Sequence, residues 1–65
     1  MRGFCERLKE IRKDLAMSQK DVADDIGVTP SAYANYEQGT REPNLETLIK
    51  LCEVLNVTAD EILGI

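Results

Sequence analysis

Ser18-Gln19-Lys20-Asp21-Val22-Ala23-Asp24-Asp25-Ile26-Gly27-Val28-Thr29-Pro30-Ser31-Ala32-Tyr33-Ala34-Asn35-Tyr36-Glu37-Gln38-Gly39 reads as two short helices joined by a very tight turn. Ser18 is a good N-cap, and Asp21 stands three residues later, as in a capping box. Met17 before the cap and Val22 within the helix have the spacing of a hydrophobic staple. Gly27 stops the first helix, because glycine enters the left-handed region without a Cβ penalty. After Val28 a new cap follows at Thr29, with Pro30 at the first helical position, where a missing N–H costs nothing. Helices joined this closely cannot lie antiparallel, so they cross steeply. A helix presented in that way can enter the major groove of DNA.

The rest of the chain supplies a frame for this pair. The spacing predicts a first helix over about Phe4–Leu15, with Phe4, Leu8, Ile11 and Leu15 on one face. The second helix, Gln19–Ile26, buries Val22, Ala23 and Ile26, and the third, Pro30–Gln38, buries Tyr33 and Tyr36. Pro43 keeps the following loop out of helix, and Asn44 caps a fourth whose buried face is Leu45, Leu48, Leu51, Cys52 and Leu55. Asn56 can close it in the left-handed conformation. Thr58 with Glu61 forms a second capping box, opening a fifth helix over about Ala59–Leu63. Helices this short hold only by burying their faces together. The expectation is an all-α, compact five-helix bundle in which residues 1–65 form one domain.

Composition narrows the function. No apolar run reaches the ~18 residues of a membrane span, and the N-terminus lacks the apolar stretch of a signal peptide. A cytoplasmic protein is expected. Cys5 and Cys52 could pair, but a reducing compartment argues against it, and Cys52 falls in an apolar helical pattern. The chain has no histidine and only two cysteines, so no metal, no cofactor and no catalytic constellation are expected. An enzyme is further disfavoured because so small a core has no room for a ~300 Å³ substrate pocket.

The net charge of −4 opposes nucleic-acid binding, but its distribution is uneven. Residues 1–20 carry six basic and three acidic side chains, whereas residues 21–65 carry two basic and nine acidic. A dipolar molecule can still offer DNA one favourable face, although a solvated, charged first helix would give the same counts.

Six segments in order, L-K-E-I-R, M-S-Q-K-D-V-A, I-G-V-T-P-S, N-Y-E-Q-G, R-E-P-N-L-E-T-L and N-V-T-A-D-E-I-L, resemble the lambda-repressor-like DNA-binding domains, the XRE or Cro/repressor-type helix-turn-helix family. The resemblance covers about Leu8 to Gly64. It implies a five-helix domain whose helices 2 and 3 read DNA, and an internal ion pair between Arg12 and Glu37. It also exposes one departure: many relatives end the first helix with glycine, where this chain has Ala16. Alanine in a left-handed cap costs on the order of 1 kcal/mol, so the first helix either bears that cost or ends differently.

The outward residues of the third helix are Pro30, Ser31, Ala34 and Asn35, with Gln38 further along. They are the candidates for base contacts, and Asn35 is the best of them, since its amide can pair with adenine N6 and N7 together. Pro30 and Ala34 can only touch a thymine methyl. Candidates for the DNA backbone are Arg12, Gln19, Lys20, Thr29, Tyr36, Thr40 and Arg41. The rings of Tyr33 and Tyr36 are read as core, with their hydroxyls free to reach a phosphate. Tight binding to double-stranded DNA then calls for a homodimer on half-sites about 34 Å apart. Val57, Ile62, Leu63 and Ile65 either form the dimer surface or cover the monomer's own core. The expected function is a sequence-specific transcriptional regulator, a repressor in the first instance. The alternative is a protein-interaction module of the same fold, such as an antitoxin or anti-repressor, which the acidic balance favours.

Overall fold

A computed structural model describes residues 3–65 and shows five helices: α1 (Phe4–Asp14), α2 (Gln19–Ile26), α3 (Pro30–Gln38), α4 (Leu45–Leu55) and α5 (Ala59–Leu63). Each of the last four opens on the side chain expected to cap it. Ser18 Oγ accepts from Asp21 N–H at 3.0 Å while Ser18 N–H donates to Asp21 Oδ2 at 3.0 Å, completing the capping box. Thr29 Oγ1 accepts from Ala32 N–H at 3.1 Å, and Asn44 Oδ1 from Thr47 N–H at 2.8 Å. Thr58 and Glu61 exchange a reciprocal pair at 3.1 Å.

The ends of α1 and α2 set tight joints. Gly27 takes φ 77° and Val28 N–H turns back to Ala23 carbonyl at 3.0 Å. Only three residues therefore separate α2 from α3. The end of α1 has the same hydrogen bonding, with Ala16 at φ 57° and Met17 N–H donating to Arg12 carbonyl at 3.2 Å. Alanine thus adopts the left-handed cap despite its Cβ.

α1 packs on α3 and α5, α2 on α3 and α4, and α4 on α5. The core they enclose is Phe4, Leu8, Val22, Ala23, Ile26, Tyr33, Tyr36, Leu48, Leu51, Leu55 and Ile62. The Tyr33 and Tyr36 rings meet edge to face at 6.3 Å, a favoured aromatic geometry. Cys5 and Cys52 are both free thiols, each half-buried.

Two residues expected inside lie outside. α1 ends at Asp14, one residue before the expected limit, and Leu15 becomes its cap, 47% exposed. Leu45, expected on the buried face of α4, is 73% exposed, because at the first turn of that helix no neighbour reaches far enough round to cover it. No helix among the described residues is long and apolar enough to cross a membrane.

Candidate nucleic-acid interface

The inner side of α3 is anchored by Glu37. Its carboxylate accepts Arg12 Nε at 2.5 Å and Arg12 Nη2 at 3.0 Å, a bidentate ion pair. Gln19 Nε2 donates to Glu37 Oε1 at 3.1 Å, and the Tyr33 hydroxyl donates to Oε2. Arg12 Nη1 also donates to Met17 carbonyl at 2.8 Å. One carboxylate thus ties together α1, the start of α2 and α3. Burial pushes the Glu37 carboxyl up, but the bonds from Arg12, Tyr33 and Gln19 outweigh it and hold the group below the ordinary value. Burial, reinforced by the bond to Glu37, pushes the Tyr33 hydroxyl well up, so it stays a donor.

The expected Arg12–Glu37 pair is therefore present, at a cost to another expectation. Arg12 is 8% exposed and its guanidinium is committed inward, which removes it from the candidate phosphate contacts. The Tyr33 hydroxyl is likewise turned to Glu37 rather than outward. Tyr36 is buried as a ring. Its hydroxyl makes no hydrogen bond to another described residue, and since no buried side-chain N or O among those residues lacks a partner, it is not sealed in the core.

The outer edge of α3 is open. Pro30, Ser31 and Gln38 are exposed, and Ala34 and Asn35 are half-buried. Around this edge the flanking candidates cluster. Gln19 is half-buried at the first position of α2, its amide oriented by Glu37. Thr29 is exposed, with its oxygen engaged as the cap of α3. The loop after α3 folds back on the Asn35 carbonyl, which accepts from the N–H groups of Gly39, Thr40 and Arg41 at 3.0, 3.1 and 3.3 Å, and from Thr40 Oγ1 at 3.3 Å. Four donors on one oxygen hold Thr40 and Arg41 against the last turn of α3, with both side chains exposed. Lys20 is exposed but bonds Asp24 Oδ2 at 2.8 Å one turn along, and this bond raises its own pKa.

The proposed dimer residues do not form one surface. Ile62 is fully buried and belongs to the core, since α5 has to wedge one large side chain between α1 and α4. Val57 and Leu63 are half-buried against it, and Ile65 is 86% exposed at the chain end. Sequence reasoning did not find the contacts of Gln19 and Tyr33 with Glu37. The four-residue spacing of Tyr33 and Glu37 on one helix face was the available signal for the second.

Two short helices crossing at a three-residue joint, with the second showing a polar outer edge, define a helix-turn-helix domain. The family model described as helix-turn-helix matches residues 8–62, and the chain belongs to that family. The family is one of DNA-binding transcription regulators. An uncharacterized HTH-type transcriptional regulator of Bacillus subtilis, YqaE, is 43% identical over 60 residues, covering 92% of this chain and 52% of its own length. The transcriptional repressor RstR of the cryptic phage CTXphi in Vibrio cholerae is 37% identical over 59 residues, 91% of this chain and 53% of its own. Among solved structures, the P22 c2 repressor in complex with a synthetic operator superposes with a TM-score of 0.88 at 29% identity, covering 95% of this chain and 94% of that one. The five-helix arrangement is thus that of the lambda-repressor-like domains. The chain spans about half the length of the curated relatives it matches.

Proposed function

We propose that this chain is the DNA-reading module of a transcriptional regulator, in the first instance a repressor, and that α3 enters the major groove. The observation that carries the reading is the open edge of α3, with Ser31 and Gln38 exposed and Asn35 half-buried, on a helix whose opposite side is locked by Glu37. A structural neighbour that is a repressor bound to operator supports it. In this reading Asn35 makes the discriminating base contact, and Ser31, Pro30 and Ala34 contribute fit. Gln19, Thr29, Thr40, Arg41 and the Tyr36 hydroxyl hold phosphates on either side, and Lys20 joins them only by leaving Asp24.

So few base-reading donors give one domain modest specificity, and its few phosphate contacts, opposed by the net charge of −4, give modest affinity, which is the reason to expect two copies on adjacent half-sites. Residues 1–65 act here as a single module. Selection of bound duplexes from a random pool, followed by the mass of the purified complex, tests both parts. The expected result is a motif with two-fold symmetry bound by two chains; a pool that emerges unenriched refutes the reading.

A second reading has its own observation. A groove between α1 and the α4–α5 corner is lined by the apolar Ile11, Leu15, Leu55 and Val57 and by three acids, Glu10, Asp14 and Glu61, against one base, Arg7, whose Nε donates to the Glu61 carbonyl. Such a surface suits a basic, apolar segment of another protein, as in an antitoxin or anti-repressor. Binding to mixed-sequence DNA that falls steeply with added salt favours the first reading, and salt-insensitive or absent binding favours the second.

A further inference from the structure

Resting on the DNA reading above, we infer that Asp24 is a built-in brake on DNA binding: it holds the Lys20 ammonium on the outer side of α2 and so keeps that cation off the phosphate backbone.

The three cations first considered for the DNA backbone stand in three different conditions. Arg12 is buried and bonded to Glu37 and to the Met17 carbonyl. Arg41 is exposed, in the loop held against the last turn of α3. Lys20 is exposed, but its Nζ donates to Asp24 Oδ2 at 2.8 Å. In a chain of net charge −4, one exposed cation is a large share of what attracts a phosphate at this edge. Whether Lys20 is held or released therefore sets the strength of binding.

The pair also acts in a direction. Lys20 is the second residue of α2, beside Gln19, at the helix start where backbone N–H groups favour an anion. Asp24 stands four residues on, about 6 Å along the axis towards the other end. The bond draws the ammonium away from the helix start. A phosphate that recruits Lys20 has to compete with the carboxylate and leaves it unpaired.

Helix stability does not account for the pair. The favourable order on a helix is acid first and base four residues later, and here the order is reversed. The macrodipole likewise disfavours a base in the first turn and an acid in the last. Asp21 of the capping box already supplies the acid that the first turn favours. The two side chains are 72% and 56% exposed, so solvent and salt screen their attraction. A weak pair of this kind lowers affinity without abolishing it. Because phosphates are alike in every sequence, the brake acts on all DNA equally, and the base contact of Asn35 carries a larger share of the binding that is left.

Asp25 supplies the control. It is the next residue of the same helix, exposed and of the same charge, and Lys20 is bonded to Asp24 rather than to it. Fluorescence anisotropy of the full chain on a mixed-sequence duplex, over a series of salt concentrations, measures both variants. Asp24→Asn is expected to bind about two- to fivefold more tightly than Asp25→Asn at low salt. Its slope of log affinity against log salt should steepen by up to about 0.9, the value of one added phosphate contact, whereas Asp25→Asn should keep the parent's slope. In a Lys20→Gln background, Asp24→Asn should give no more than Asp25→Asn gives there, because its effect passes through the ammonium. Equal gains from the two asparagine variants, an unchanged slope for Asp24→Asn, or a gain that survives Lys20→Gln each overturns the brake and leaves the DNA reading intact. A parent that shows no salt-dependent binding overturns the DNA reading itself, and the brake with it.

Discussion

The two sides of α3 carry opposite kinds of chemistry. Inward lie two tyrosine rings and a carboxylate with three side-chain partners, all fixed by geometry. Outward lie Pro30, Ser31, Ala34 and Asn35, short side chains with few donors. The inner side holds the helix at its angle, and the outer side is left free to vary without unfolding anything. In a chain of 65 residues this separation matters, since a core this small tolerates few errors. It also implies that changes on the two sides should produce effects of different kind as well as size.

The largest effect is expected from Glu37→Ala. The Glu37 side chain is 3% exposed and that of Arg12 is 10% exposed, so the substitution leaves a guanidinium buried without its counter-charge. Breaking such a pair from one side costs about 3–5 kcal/mol, much of what a small domain has. Thermal or denaturant unfolding measures it, and an unchanged midpoint would refute the bracing role. The same carboxylate gives a pH signature. Its folded pKa lies below the ordinary value of 4.5, so its stabilisation is complete above that value and is lost as pH falls through the folded pKa. Asp21, held down by the Ser18 N–H, and Glu6, held down by its own backbone N–H, act in the same direction. Glu37→Gln should therefore flatten the acid side of the stability profile without abolishing it.

On the outer side the expected effects fall on DNA and leave the melt alone. Asn35→Ala should cost about 1–3 kcal/mol of discrimination at one base position and leave the others as they were, read from the selected motif of each variant. Its backbone carbonyl still gathers the loop, so Thr40 and Arg41 remain in place. Arg41→Ala should weaken binding to all sequences alike and lower the slope of log affinity against log salt by about one. If Asn35→Ala instead lowers affinity uniformly, the division between reading and positioning residues is drawn in the wrong place.

How much of this was legible beforehand follows from what each signal measures. Caps and stops are local, and the bounds read for α2, α3 and α5 coincide with those of the structure. Apolar periodicity shows which residues share a face, but it does not show how wide an arc the neighbouring helices cover. Leu45 and Leu15, read as buried, lie beyond that arc, whereas Ile62, left open between the core and a dimer surface, lies within it. The interface candidates suffered from the same limit in a different form. A charged residue reads alike whether it faces solvent or a buried partner, and Arg12 could be assigned only once α1 and α3 were brought together. Lys20 was obscured by a partner only one turn away, Asp24.

The smallest effect concerns the end of α1, where the brace on α3 begins. Ala16 sits at φ 57°, a region in which a Cβ is penalised by roughly 1–2 kcal/mol. The strain persists because Met17 N–H closes on Arg12 carbonyl while Met17 carbonyl accepts Arg12 Nη1, so the turn is held from both directions. Asn56 adopts nearly the same angle at the end of α4, but asparagine enters that region more readily. Ala16→Gly relieves the penalty and returns part of the gain as extra freedom of the unfolded chain. The net expectation is a stabilisation of about 0.5–1 kcal/mol, seen as a modest rise in melting temperature. Affinity and base preference should stay those of the parent, because nothing on the outer edge of α3 moves. A variant that is more stable yet reads DNA differently would show that the two sides of α3 are coupled through the turn at Ala16.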